Sequence, residues 1–473
     1  MSVAEHLASA PVVALAREAL AGAEGVWVAG GAVRDAALGR DVVDLDLALA
    51  GDPAAAAKAV AREGGGHSFE LSAEFATWRA VAADGSWQID VTALRGETIE
   101  ADLAERDFTI GAVAVPVSGG EPIDPFGGLP DLDRRVLRVV GERSFSADPL
   151  RLLRAARLAA GLALEVDPGT VSLARSEAPR AADAAGERQL TELRQLVGGP
   201  DPLRGMALLD ELGLTAVVLP ELEALRGVEQ GPNHHLDVHG HTMAVLERTL
   251  EVEAGLERFG GGRAADLEAL LSEPLADEMS RGTALRFGAL LHDIGKPATR
   301  SEQHGFVTFL GHDRDGAEIV GDLCKRLRAS RVLTRHLQDL TLHHLRLGFL
   351  VQEAPLPARR IHEYLRATEP VGADVTLLTI ADRLSARGSG PLATEEAIEA
   401  HLGLARQMLA ASLDWRRDGP PRPLLRGNEL AAELGMDEGP ELGELLAELE
   451  AAQYAGEIST PAEAVERARA LRG

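Results

Sequence analysis

The stretch GGAVRDAALGRDVVDLDLA, residues 30–48, constrains the fold more than any other part of the chain. In its second half Val43, Leu45 and Leu47 alternate with Asp44, Asp46 and Ala48, and strict alternation predicts a half-buried β-strand. Successive side chains on a strand point to opposite faces. Asp44 and Asp46 therefore share one face, and the aliphatics pack behind them. Two adjacent carboxylates repel and are balanced by a cation. Mg2+ is commonly held by one or two carboxylates together with substrate phosphates. Before this strand, VWVAGG predicts an earlier strand ending at Gly30 and Gly31, and AVRDAALG predicts a short helix. Glycines at such a turn let backbone N–H groups approach a phosphate, and a helix N-terminus favours an anion. Arg34 adds positive charge. The span reads as one triphosphate–metal site.

Neighbouring segments extend it. In WQIDVTAL, Asp90 opposes Ile89 and Val91 and is placed to face Asp44 and Asp46 from an adjacent strand. Three carboxylates around two Mg2+ ions suit in-line phosphoryl transfer. In DLAERDFTIGAVAV, Arg106 and Asp107 directly precede an apolar strand. Arg106 is placed to hold a ribose or a phosphate, with Asp107 orienting it. In SADPLRLLRAARLA, Asp148 and Arg151 lie one helical turn apart on one face. A carboxylate beside a guanidinium can mimic the pairing edge of a base; the plainer alternative is a surface ion pair.

The rest of the chain sets the frame. It has 473 residues and a net charge of −26, which argues against indiscriminate nucleic-acid binding. Arg134, Arg135, Arg138, Arg143, Arg151, Arg154 and Arg157 nevertheless form a local basic run suited to phosphates. No apolar run is long enough to span a membrane, and the N-terminus lacks a signal-peptide layout. The lone Cys324 excludes an intramolecular disulfide and fits a reducing, cytoplasmic setting. Short strands mix with helices up to about residue 125; beyond about 131 the pattern is almost wholly helical. Breaks fall near IDPFGGLPDLD, VEQGPNHHLDVHGH and RRDGPPRPLLRG. The Gly/Ala/Glu-rich stretch 254–282 reads as a mobile insertion.

The helical region carries a second constellation: His241, His292-Asp293, His312, His343-His344 and Asp382. Imidazoles and carboxylates so distributed can enclose one or two divalent ions, a transition metal or, with few His ligands, Mg2+.

Taken as a set, GGAVRDAALGRDVVDLDLA, DLAERDFTIGA, DPFGGLPDL and ADPLRLLRAARLA resemble the motifs of the bacterial-type (class II) tRNA nucleotidyltransferase / poly(A) polymerase family. The resemblance implies an α+β architecture with a DNA polymerase β-like head at 1–130. A helical neck at 131–229, a metal-dependent domain at 230–412 and a helical tail at 413–473 would follow. It implies that Asp44 and Asp46 bind Mg2+, with Asp90 assisting. Gly30, Gly31 and Arg34 would contact the triphosphate, Arg106 and Asp107 would lie near the sugar, Asp148 and Arg151 would select the incoming base by mimicking Watson–Crick contacts, and Arg154 would bind the nucleotide. Glu187 and Arg188 match a further helix motif. The implied partners are tRNA, CTP and ATP. Three positions depart from the family pattern: Glu105 replaces an Arg, Gly111 an Asn and Ala147 a Glu. The flexible loop usual before the Arg-Asp-Phe-Thr motif is nearly missing from ALRGETIEADLAERD. A shortened loop is the family's hallmark of CC addition, with a separate enzyme adding the terminal A.

The second constellation resembles the HD phosphohydrolase superfamily. That resemblance implies His241, His292, Asp293 and Asp382 as core ligands, His312 and His344 (or His343) as ligands of a second metal, and Lys296 near a phosphate. Hydrolysis of 2′,3′-cyclic phosphates and phosphomonoesters would follow. Two other readings stay open: a poly(A) polymerase, and an HD phosphohydrolase whose head only senses nucleotide or RNA.

Overall fold

The computed structural model describes residues 2–72 and 76–472. The chain forms two compact units, one ending at Val218 and the other starting at Leu219. The boundary between them falls within the segment 131–229 expected as a helical neck.

The first unit is built on a six-stranded mixed sheet of order β3-β4-β5-β2-β1-β6. Its strands are β1 Val26–Ala29, β2 Asp44–Leu49, β3 His67–Ser72, β4 Thr77–Val81, β5 Gln88–Ala93 and β6 Ala114–Pro116. β2 runs parallel to β5 and antiparallel to β1. Leu45 and Leu47 are buried on one face of β2 with Val28, Val33, Val60 and Ile89. The opposite face is split. Its far end, at Ala48, is covered by Ile99 and Leu103 of the helix Ile99–Ala104, and the end bearing Asp44 and Asp46 is exposed. Val43 departs from the expected alternation: it precedes the strand and is 59% exposed. The strand expected across FTIGAVAV is also shorter. Thr109–Gly111 forms a 3-10 turn because the Thr109 hydroxyl donates to the buried Asp131, and only Ala114–Pro116 pairs with β1.

Two helices of this unit bound the site. Leu150–Leu162 buries Leu152, Leu153, Ala155, Ala156 and Ala159, which leaves Arg151, Arg154 and Arg157, three residues apart, on a separate stripe. Gly186–Val197 packs against it and brings in the buried Glu192.

The second unit is helical apart from short ribbons. Val238–Ala254, Arg281–Leu291, Arg331–His343 and Gly372–Ser385 pack around one polar cluster, which His312 joins from the start of His312–Arg326, and Glu395–Asp418 packs against Gly372–Ser385. The stretch 254–282 is not a mobile insertion. It forms helices Leu256–Gly260 and Ala264–Ser272 and a short ribbon, and it buries Phe259, Leu267, Leu270 and Met279. Its glycines and alanines masked the apolar spacing that anchors it. The last three helices share a small core of Leu430, Leu445, Leu449, Ile458 and Ala464. No helix among the described residues is long and apolar enough to cross a membrane.

Candidate active site and metal centre

The first site is a cavity of about 410 Å3 above the open end of β2, lined by six arginines (34, 95, 106, 151, 154 and 157) and by Asp46 and Asp107. β1 ends at Ala29, and Gly30 turns the chain into the helix Gly31–Ala37 with φ 77°. That angle favours glycine, and so does the space: a Cβ there would lie 2.6 Å from Arg106 Nη1 and 3.6 Å from Asp46 Oδ2. Gly30 is therefore what lets Arg106 and Asp46 approach one another. The helix presents Arg34, which is paired with Asp35.

Asp46 and Asp90 are neighbours across β2 and β5. Loss of water around the carboxyl inside the cavity, then the nearby Asp90 charge and that of Asp44, raise Asp46 above its ordinary range, against the pull of Arg106 and Arg34. Such a crowded set of carboxylates fits a divalent cation.

The cavity wall is tied together by shared carboxylates. Asp102 is 2% exposed and holds both Arg95 and Arg106. Glu192 holds both Arg154 and Arg157, and Arg154 also reaches Asp107 at 3.0 Å. Nothing in the sequence marked Glu192, because its partners lie on another helix. Asp102 had a signal in its spacing of four from Arg106.

Asp148 and Arg151 do not share a helical face. Asp148 is extended and lies outside the helix that starts at Leu150. Burial pushes its carboxyl up, but the Arg188 guanidinium, at 2.8 Å, outweighs this and holds it below its ordinary value. Arg151 instead donates to the backbone carbonyls of Glu105, Arg106 and Ser144. Pro149 forces the residue before it, Asp148, into an extended conformation, so the two side chains do not stack one helical turn apart. Arg134 and Arg138 turn away to Asp131, so only the later part of the basic run faces the cavity.

The second site gathers the constellation of the helical unit. His241, His292 and Asp382 form one group, and Asp293, His312 and His344 another; within each, ligand atoms lie within 4.8 Å of one another. His241 Nε2 is 3.0 Å from Asp382, and His312 Nε2 is 3.3 Å from Asp293. Three imidazoles are oriented alike. Nδ1 of His292, His312 and His344 faces the carbonyl of Ala289, Phe309 and Thr341 at 2.9, 2.7 and 2.6 Å. A carbonyl only accepts, so each Nδ1 carries a proton and each Nε2 is turned toward the cluster. Burial, then His292, lowers His344 to about 4, which keeps it neutral. Burial alone would raise Asp293, but His292 and Lys296 hold it well below its ordinary value. His292 Nε2 is buried without a hydrogen bond and lies 3.2 Å from Asp293, as suits a nitrogen aimed at a cation. The donor set fits a divalent ion.

His343 lies outside the cluster, where its Nδ1 accepts from Arg346. Lys296 donates to Gln230 and approaches Asp293, both at 2.6 Å. The sequence reading passed over His234, whose ring centroid sits 4.6 Å from that of His241. Its only signal was a place in the His-rich break before the helix.

Comparison with known proteins places these sites in a family. Residues 26–138 match the poly A polymerase head domain, 163–225 the probable RNA and SrmB-binding site of polymerase A, and 245–387 the HD domain. The A-adding tRNA nucleotidyltransferase of Deinococcus radiodurans is 36% identical over 93% of this chain and 94% of its own. The CC-adding tRNA nucleotidyltransferase of Thermus thermophilus is 35% identical over 92% of this chain and 91% of its own. Identity alone does not separate C addition from A addition. The fold matches the Thermotoga maritima CCA-adding enzyme, solved in complex with tRNA, with a TM-score of 0.61, 20% identity and coverage of 100% and 99%. The chain belongs to the tRNA nucleotidyltransferases, with a polymerase-type head and an HD domain.

Proposed function

We propose that the head adds two cytidines to tRNA 3′ ends from CTP and leaves the terminal A, from ATP, to a separate enzyme. The observation that carries this is the connection between β5, which ends at Ala93, and the helix that begins at Ile99. It is a tight turn pinned by Arg95 to Asp102, and it leaves no room for the long flexible loop that the family resemblance associates with the switch to ATP.

In this reading Asp44 and Asp46 hold Mg2+, with Asp90 beside them, and the metal supplies activation of the acceptor hydroxyl and charge relief for the leaving pyrophosphate. Gly30, Gly31 and Arg34 receive the triphosphate at the helix N-terminus. Arg106 and Asp107 lie at the sugar, Arg151 and Arg154 along the nucleotide, and Asp148 with Arg188 at the edge that reads the base. The surplus of guanidinium over carboxylate in the cavity draws an anionic nucleotide into an otherwise acidic protein. Synthesis of a poly(A) tail is not favoured, because the relatives matched over more than nine-tenths of the chain are named tRNA nucleotidyltransferases.

The HD centre is proposed as a phosphohydrolase acting on phosphate ends such as 2′,3′-cyclic phosphates. His241, His292, Asp293, His312, His344 and Asp382 would hold one or two divalent ions. A divalent ion there supplies a water acidified for attack. Lys296 is placed to hold the phosphate. The test of the head is incorporation of labelled CTP into a tRNA transcript lacking its CCA end. Wild-type protein with Mg2+ incorporates, and Asp44→Ala and Asp46→Ala do not. Normal incorporation by either variant would refute the assignment.

A further inference from the structure

One corner of the nucleotide cavity holds more positive charge than its own carboxylates balance. Arg95, from the turn after β5, places its backbone N–H and its Nε on Asp102 Oδ1 at 3.2 and 3.1 Å. Arg106 occupies the other oxygen of the same carboxylate. The Glu105 carbonyl accepts from Arg95 Nη1 at 3.4 Å and from Arg151 Nη2 at 2.7 Å. Arg151 has no carboxylate of its own, because Asp148 is taken by Arg188. Three guanidinia thus converge on one carboxylate and a few carbonyls inside a concave wall. Like charges held this close are costly, and the cost is relieved when an anion enters.

Arg95 is the member of this group with no role so far. It lines the cavity, its side chain is 42% exposed, and its Nη2 has no protein acceptor among the described residues. Asp102 holds it in place, so little side-chain entropy remains to be lost on binding. That Nη2 can donate a charge-assisted hydrogen bond to a phosphate oxygen.

We propose that Arg95 is a substrate-binding residue of nucleotidyl transfer, whose Nη2 engages a phosphate oxygen beside Arg106 and Arg151. The proposal rests on the nucleotidyl-transfer reading of the head. The phosphate has two sources, the triphosphate of the incoming nucleotide and the last phosphodiester of the acceptor strand. The connection between β5 and the next helix is then a rigid arm that carries one fixed cation into the site.

The test compares wild type with Arg95→Gln and Arg95→Lys. KM is measured for CTP at saturating tRNA and for tRNA at saturating CTP, with kcat and thermal midpoint alongside. Gln keeps a donor for Asp102 and so preserves the fold. The expected result is a rise of at least about tenfold in one KM for Arg95→Gln, the size of losing one charge-assisted hydrogen bond. Its kcat and melting temperature stay near wild type, and Arg95→Lys recovers only part of the KM. A CTP effect identifies the triphosphate, and a tRNA effect identifies the acceptor strand. Both KM values within twofold of wild type would overturn the proposal. Absence of incorporation by the wild type would instead refute the reading beneath it; direct titration of CTP and of tRNA into wild type and Arg95→Gln then decides the Arg95 contact by itself, with unchanged affinities overturning it.

Discussion

Asp46 and Asp90 sit side by side on parallel strands, and Arg79 clamps both oxygens of Asp90, at 2.7 and 2.8 Å. Asp46 makes no hydrogen bond or ion pair among the described residues and faces the cavity. The clamp divides the three carboxylates into an open pair, Asp44 and Asp46, and a partly neutralised third. Removing an open-pair member should lower kcat at least about 1,000-fold, since metal activation supplies several kcal/mol. Asp90→Ala should cost about ten- to a hundredfold. Single-nucleotide incorporation measures both, and an Asp90 loss as large as that at Asp46 would show that the clamp does not hold during reaction.

Gly30 offers a test of the cavity's shape. Gly30→Ala places a methyl 2.6 Å from Arg106 Nη1, on a backbone with φ +77°. Gly39 has a similar φ of +70° but open space around it. Both alanine variants place a side chain at positive φ, which costs stability, and Gly30, with ψ −129°, bears the larger strain. Only Gly30→Ala should raise the nucleotide KM, by tenfold or more. Equal kinetics in the two variants would show that the Gly30–Arg106 approach is not used.

The two sites should separate by mutation. His292→Ala and removal of divalent ions by a chelator should abolish hydrolysis of a 2′,3′-cyclic phosphate. His292→Ala should leave CTP incorporation intact. His343→Ala, outside the cluster, should keep both activities. A His343→Ala protein without hydrolysis would contradict the ligand set.

Much of this was legible in the sequence because its signals are local. The alternation around Asp44 and Asp46, the glycine turn and the His-Asp pair each reside within a few residues, and only Val43, outside β2, breaks the expected alternation. What was not legible depends on partners far apart in the chain. Glu192 joins Arg154 and Arg157 across two helices, Arg79 clamps Asp90 across two strands, and Arg188 captures Asp148 from 40 residues away. Spacing favoured Arg151 for Asp148, but Pro149 put the two off a common helix. His343 and His344 are adjacent, and only the helix's rotation decides which one faces the metal centre.

Cys324 should be inert in the folded protein. It is 2% exposed, and burial pushes its thiol up to about 11, so almost no thiolate exists at neutral pH. A thiol reagent should react with it only after denaturation. Rapid reaction of the native protein would show that the helix His312–Arg326 opens readily.

The most direct test of the central claim uses purified protein, Mg2+ and three tRNA transcripts ending at the discriminator base, at C and at CC. Each is offered CTP, ATP or both, and the products are sized. The account predicts two additions, one addition and none, all with CTP, and no A on any transcript. Addition of A to the transcript ending in CC would contradict it.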